Sequence, residues 1–364
     1  MYPEIGFNTR NTKNYIISKI KEINYDKNMI KLEIEEISDS LIITLQTKKS
    51  KILGFRADID ALEINEVNNC TYKSTNNYMH ACGHDAHTSI LLFLITDILN
   101  NPKILNGTIR CIFQTAEEGP GNGGAYYLIN NDLIKEIDYL YALHVNSELE
   151  KSSIYYKYNY LMASSTTFKI ELFGKESHIT RYTEGIDVLN KGMLIYNDIN
   201  NIKINDSLIY IGILNCGNAT NIVPSYLILE GSIRTFDNNT LEFVKKYIYD
   251  IVLKHMGNLK FNIEYNNGYP SLKNCLDSTN LLVKCCNLLN CNIYKLDTPF
   301  YLSDDFSRYS KYSKICYFFL GTKKDNGYIL HSNNFEIDED SLYLGYLVYK
   351  KIISEYFGDY WYIY

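Results

Sequence analysis

The sequence predicts an α/β protein interrupted by a smaller α+β module. Strand and helix signals alternate from the start to about Met162, as layered α/β structure requires. Residues 166–265 then read β-α-β-β-α-β, the order of a ferredoxin-like module. Gly268-Tyr269-Pro270 marks the return to the first domain, which closes on a helix over 341–357. The expected division is residues 1–163 with 271–364, and 164–270 between them.

Each element has its own justification. Thr108 to Gln114 is a β-like run, and Tyr139 to Leu143 is a short apolar strand ending in His144. Cys316 to Leu320 is another, and Gly321 and turn residues lead from it to Leu330-His331. Carboxyl ends of strands are where α/β proteins bind ligands. In the module, residues 166–173 alternate apolar and polar, a helix is expected over 186–199, and strands over 207–214 and 227–234. A helix over 241–252 and a strand over 261–265 complete it. His255 falls at a helix end, where a cation favours the dipole, and is read as structural.

The run His80-Ala81-Cys82-Gly83-His84-Asp85-Ala86-His87 concentrates chemistry. Three imidazoles, a thiol and a carboxylate are costly to bury unpaired. Thiolate and imidazole both suit zinc and its first-row neighbours, so a metal site explains the run better than a polar surface loop. The second signal is Glu117-Glu118, following a buried strand and preceding glycines. Adjacent carboxylates point in different directions, so one can bind a metal while the other faces a water, the arrangement a hydrolase needs. A rival reading takes Gly119 to Gly124 as a dinucleotide loop. Two glutamates at the strand-to-loop turn argue against it, because a pyrophosphate wants amide donors there. The glycines instead let the backbone turn sharply around a crowded centre.

Gly54 to Leu62, His80 to His87, Phe113 to Gly119, Leu143-His144-Val145 and Leu330-His331-Ser332 occur in order. So do Gly174 to His178, Asn221 to Pro224, Gly231 to Thr235 and Asp305-Phe306-Ser307. The set resembles the M20 metallopeptidase family in its amidohydrolase branch, which includes N-acyl-amino-acid amidohydrolases, hippurate hydrolases, acetyldiaminopimelate deacetylases and auxin-conjugate hydrolases. The resemblance implies a zinc-peptidase-like catalytic domain carrying an inserted lid, residues 164–270, through which the chain would form a homodimer. It implies two divalent ions (Zn, Mn, Co or Ni) held by Cys82, His84, Glu118, His144 and His331, with Cys82 as the bridge. Glu117 matches the general base acting on a metal-bound water. Asp58 and Asp60 match residues that orient the ligands, His178 a catalytic lid histidine able to serve the partner's site, and Asn221 and Arg234 substrate-binding positions. Glu176-Ser177, Thr183, Thr115 and Asp304-Asp305 depart from the usual pattern. None removes a ligand or the base, but the lid changes bear on substrate choice.

A chain of 364 residues favours two domains, and a net charge of -6 gives no reason to expect nucleic acid. No basic cluster suggests a membrane surface, and the apolar stretch over 90–99 is too short to span one. Nine cysteines without CxxC spacing and no secretory leader point to reduced thiols in a cytoplasmic protein. The expected activity is hydrolysis of the amide in a small N-acyl amino acid or related conjugate. The alternatives are an M20-type dipeptidase or aminoacyl peptidase, and a non-catalytic metal-binding relative.

Overall fold

The computed structural model describes residues 1–119, 121–324 and 328–358. Pro120, inside the glycine run, and residues 359–364, the expected end of the first domain, lie outside the described residues, as do 325–327. In chain order come α1 (Arg10–Lys21), β1 (Lys31–Ile37), β2 (Ser40–Gln46), β3 (Ile52–Asp58), α2 (His84–Asn100), β4 (Thr108–Gln114), α3 (Gly124–Leu128), α4 (Asp132–Lys135), β5 (Ile137–Asn146), β6 (Ser153–Tyr156) and β7 (Asn159–Met162). Next are β8 (Thr166–Phe173), β9 (Ser177–His178), α5 (Val188–Asn200), β10 (Ser207–Cys216), β11 (Ile222–Val223), β12 (Tyr226–Thr235), α6 (Asn238–Met256) and β13 (Phe261–Asn267). The chain closes with β14 (Leu272–Asn274), α7 (Leu276–Leu288), β15 (Asn292–Lys295), β16 (Lys314–Gly321) and α8 (Leu342–Phe357). Two compact units result: Met1–Leu161 with Lys273–Pro299 and Asp304–Tyr364, and Met162–Leu272 with Phe300–Ser303.

The first unit is built on an eight-stranded mixed sheet in the order β1-β2-β4-β3-β5-β16-β6-β15. Its centre, β4-β3-β5-β16, is parallel, so four carboxyl ends come out along one edge. The central strands are covered on both faces: every residue of β4 is buried, although it includes Thr108, Arg110 and Gln114. Strict alternation of strand and helix does not hold at the start. Ile37 pairs with Ser40 across a two-residue turn in which Ser38 has φ 57°, and the hairpin adds antiparallel strands at one edge. On α2 the buried Ile90, Leu91, Leu94, Ile95, Ile98 and Leu99 share one helical face and join a core that also takes in α8.

The second unit is a four-stranded antiparallel sheet in the order β10-β12-β8-β13. That is the ferredoxin-like arrangement, the first strand lying between the third and the last. On β8, Thr166, Phe168, Ile170 and Leu172 are buried and the residues between them are not, as one covered face demands. Val188, Ile195 and Ile199 of α5 and Val244, Ile248 and Val252 of α6 belong to the same apolar cluster as these strands. α6 begins earlier than the apolar pattern alone implies because the Asp237 side chain caps it, accepting from Thr240 N–H at 2.9 Å.

Candidate metal centre

The first unit brings its chemistry to the carboxyl ends of β3, β4 and β5. The loop after β4 and the start of α2 need glycine to do so. Gly83, at φ 81°, begins α2, and a Cβ there would lie 2.3 Å from Val145 Cγ2. A Cβ on Gly124 would lie 1.8 Å from the Thr115 carbonyl oxygen. The loop therefore folds back on the end of β4, and the helix after it is only five residues long. That is close packing around the glutamate pair, as expected for these glycines.

Two donor groups share the Cys82 sulfur. Cys82, His84 and His144 place ligand atoms within 4.8 Å of one another, and so do Cys82, Glu118 and His331. The Cys82 Sγ is 3.3 Å from both His144 Nε2 and His331 Nε2, and His331 Nε2 is 2.9 Å from Glu118 Oε1. His331 has φ 65°, unusual for a residue with a side chain, and its amide is pinned to the Ala81 carbonyl at 2.8 Å. Ala116, just before the glutamates, has φ 56°. Such conformations persist where surrounding structure over-determines them, typically at functional sites.

Asp60 organises the site from below. Its two carboxylate oxygens accept the backbone N–H groups of Glu117 at 3.1 Å and Glu118 at 3.0 Å, so one buried side chain presents the pair. Its carbonyl is 2.9 Å from His84 Nδ1, which must donate to it. The opposite nitrogen, His84 Nε2, is buried, has no hydrogen-bond partner, and in the neutral ring carries the lone pair. An orphaned acceptor beside a thiol, imidazoles and carboxylates fits a first-row dication. His144 Nδ1 likewise lies 2.6 Å from the Val145 carbonyl, leaving Nε2 toward Cys82.

The electrostatics favour positive charge among these groups. Burial first, then Asp304, Glu118 and Asp305, pushes the Glu117 carboxyl well above the ordinary range. Hydrogen bonds to Cys82 and Glu118 push His331 up to about 10, and for His84 burial is outweighed by Asp58 and Cys82, which raise it well above its ordinary value. Burial, with His87 next, holds His144 well below its ordinary value.

Sequence reasoning left Arg56, Gln114 and His87 without roles. Arg56 is fully buried, with Nη1 2.5 Å from Asp58 Oδ2, Nε 3.1 Å from Gln114 Oε1 and Nη2 3.0 Å from Asp305 Oδ1. Gln114 donates to Asp305, which also accepts the Ala125 N–H at 2.8 Å. The signal was present: Arg56 lies two residues before Asp58 on one strand, hence on the same face. His178, Asn221 and Arg234 belong to the second unit. There His178 is exposed, pairs through its backbone with Ile222, and has Nδ1 2.9 Å from Thr180 Oγ1. The Asn221 carbonyl accepts from Ile179 N–H at 3.0 Å, and Arg234 is half-buried on β12. His255, in the last turn of α6, pairs with Asp198 at 2.7 Å, as a helix-end residue should.

The model of peptidase family M20/M25/M40 matches residues 54–355. The chain belongs to this family. It is therefore an M20 hydrolase, metal-dependent like the family. It is 29% identical to thermostable carboxypeptidase 1 of Saccharolobus solfataricus, over 96% of this chain and 91% of that protein. A hydrolase of Staphylococcus epidermidis is 30% identical, over 98% and 95%. Among solved structures, a putative aminohydrolase from Staphylococcus aureus superposes with a TM-score of 0.88 at 26% identity, covering 98% of this chain and 93% of that one. A dinuclear metal binding peptidase of the M20 family from Bacillus subtilis has the same fold, with a TM-score of 0.85 at 22% identity and coverage of 99% and 95%. Among the described residues of this M20 chain, no helix is long and apolar enough to cross a membrane.

Proposed function

We propose that the chain hydrolyses the amide of a small N-acyl amino acid or related conjugate, with Glu117 as the general base. The observation that carries this reading is the presentation of Glu117 and Glu118 by the two oxygens of Asp60. Both glutamates group with His84, Glu118 also groups with Cys82 and His331, and Glu117 is the more deeply buried of the two. Cys82, His84, Glu118, His144 and His331 would hold two divalent ions, Cys82 being common to both donor groups. When bound, such ions supply Lewis acidity toward a carbonyl and a water. Glu117 takes the proton of the attacking water on its carboxylate and passes it to the departing amine nitrogen, since amide cleavage needs both transfers. Asp60 and Asp58 hold the backbone and imidazoles from behind.

Arg234 and Asn221 would bind the substrate's polar end. Among the described residues Arg234 has no acidic partner, and burial alone pulls its pKa down, so a substrate carboxylate would supply the missing charge. The carboxypeptidase named above acts, by its name, on a substrate with a free carboxylate, which supports this reading of Arg234. The test is release of free amine from N-acetyl and N-benzoyl amino acids and dipeptides by zinc- or manganese-loaded protein. Turnover of the acylated amino acids above the dipeptides supports the reading, the reverse order supports the peptidase alternative, and no turnover of either contradicts both.

Two predictions follow from these roles. Cys82→Ser is expected to weaken metal loading, because a hydroxyl stays protonated near neutral pH whereas a thiol facing a cation does not. Elemental analysis of both proteins checks it, and equal content and affinity would remove Cys82 from the ligand set. The second concerns a homodimer through the 164–270 segment in which His178 serves the partner's site. His178→Ala mixed with Glu117→Gln is expected to recover part of the activity each lacks alone. Verified heterodimers without recovery would place His178 outside the partner's chemistry.

A further inference from the structure

His87 follows His84 by three residues on α2, and its ring packs against His144 with centroids 4.5 Å apart. It is buried, and with Asp58 and His84 it forms another group whose ligand atoms lie within 4.8 Å of one another. Its hydrogen bonds show a different employment. The Val145 N–H points at His87 Nε2 over 2.9 Å. A backbone amide can only donate, so Nε2 must turn its lone pair to Val145. His87 Nδ1 is 2.6 Å from Asp58 Oδ1, and a carboxylate accepts, so the ring proton sits on Nδ1. Both nitrogens are committed, and no lone pair is left for an ion.

The amide that His87 receives is one that β3 no longer serves, although Val145 still pairs with Leu320 of β16 on its other side. β3 pairs with β5 only as far as Arg56 opposite Ala142, and Val145 lies beyond that register. The carbonyl of the same residue accepts from His144 Nδ1 at 2.6 Å. Val145 is thus held by one imidazole at its N–H and by the other at its C=O. Behind Asp58 stands Arg56, fixed in turn by Gln114 and Asp305.

We propose that His87 is a positioning residue of the metal centre and not a ligand: in its Nδ1–H form, held by Asp58, it fixes Val145 and thereby aims His144. The inference rests on the reading of His144 as a ligand, and it assigns the third histidine of the His80–His87 run a role distinct from that of His84.

The test compares wild type with His87→Phe and His87→Gln, using zinc as the probe and competition with a chromogenic chelator as the readout. Phenylalanine fills the space but offers no acceptor, and is expected to weaken zinc binding about tenfold or more, as loss of such supporting bonds does. The zinc content at saturation stays that of the wild type. Glutamine, whose carboxamide offers one acceptor and one donor, is expected to restore part of the affinity. Nitrogen NMR of histidine-labelled, metal-free wild type is expected to show His87 protonated on Nδ1 and not on Nε2, a result that does not depend on any variant folding. Wild-type affinity in His87→Phe, a proton on Nε2, or a zinc lost at saturation from both variants would each overturn the proposal, the last by making His87 a ligand. A wild type that takes up no zinc would remove the metal reading itself and the inference with it.

Discussion

Glu117→Gln is expected to lower turnover at least about a hundredfold while leaving zinc content and thermal stability close to wild type. The substitution keeps size and polarity but removes the ability to take a proton near neutral pH. The backbone N–H of residue 117 donates to Asp60 Oδ1, a contact that the change does not touch. In the metal-free chain burial and the carboxylates of Asp304, Glu118 and Asp305 raise the Glu117 pKa. A dication beside it would bring it back toward the range of a working base. Turnover of amide substrate by purified, zinc-loaded proteins measures the effect. Near-normal turnover in the variant would take the base role from Glu117, and zinc-loaded wild type without turnover would favour the non-catalytic alternative.

Arg56→Met is expected to be the most destabilising single change in the first unit, at about 3–5 kcal/mol near neutral pH. It leaves Asp58 and Asp305 buried without their guanidinium, and Gln114 Oε1 with the Tyr309 hydroxyl as its remaining donor. Burial raises the Asp58 pKa, but Arg56, His84 and His87 outweigh it and hold the group well below the ordinary carboxylate value. A depressed carboxylate contributes stability that is present above its unfolded pKa and is lost as pH falls through the folded one. Without the guanidinium the buried Asp58 of the variant takes up its proton at higher pH than in wild type, so the gap is widest near neutrality and narrows toward pH 4. Denaturant unfolding of the metal-free proteins at pH 7 and pH 4 checks both size and sign. A gap that widens in acid would show that the network is not held by these charges.

The candidate donors were legible because metal chemistry restricts residue types. Few segments other than a binding loop carry His80 to His87, and Glu117-Glu118 after an apolar run is similarly restrictive. The β-α-β-β-α-β order of the second unit was legible because one covered face imposes the alternation seen in β8. The antiparallel edge of the first sheet was not, since Lys31–Ile37 mixes charge with aliphatics and its partner is chosen by the Ser38-Asp39 turn. The short β15, Asn292–Lys295, has too few apolar residues to announce itself. Arg56 and His87 stayed without roles because a buried cation or imidazole is defined by its partners. Asp58 stands near Arg56 in the chain, but Asp305 and Val145, which complete the two sets, are far away in sequence.

The central claim is that Cys82, His84, Glu118, His144 and His331 form one centre for two divalent ions. Anomalous diffraction from crystals of the zinc-loaded protein tests it most directly. The account predicts two zinc peaks within coordinating reach of these five side chains, with Cys82 sulfur serving both. Zinc bound elsewhere on the chain, or at saturation none among these residues, would contradict it.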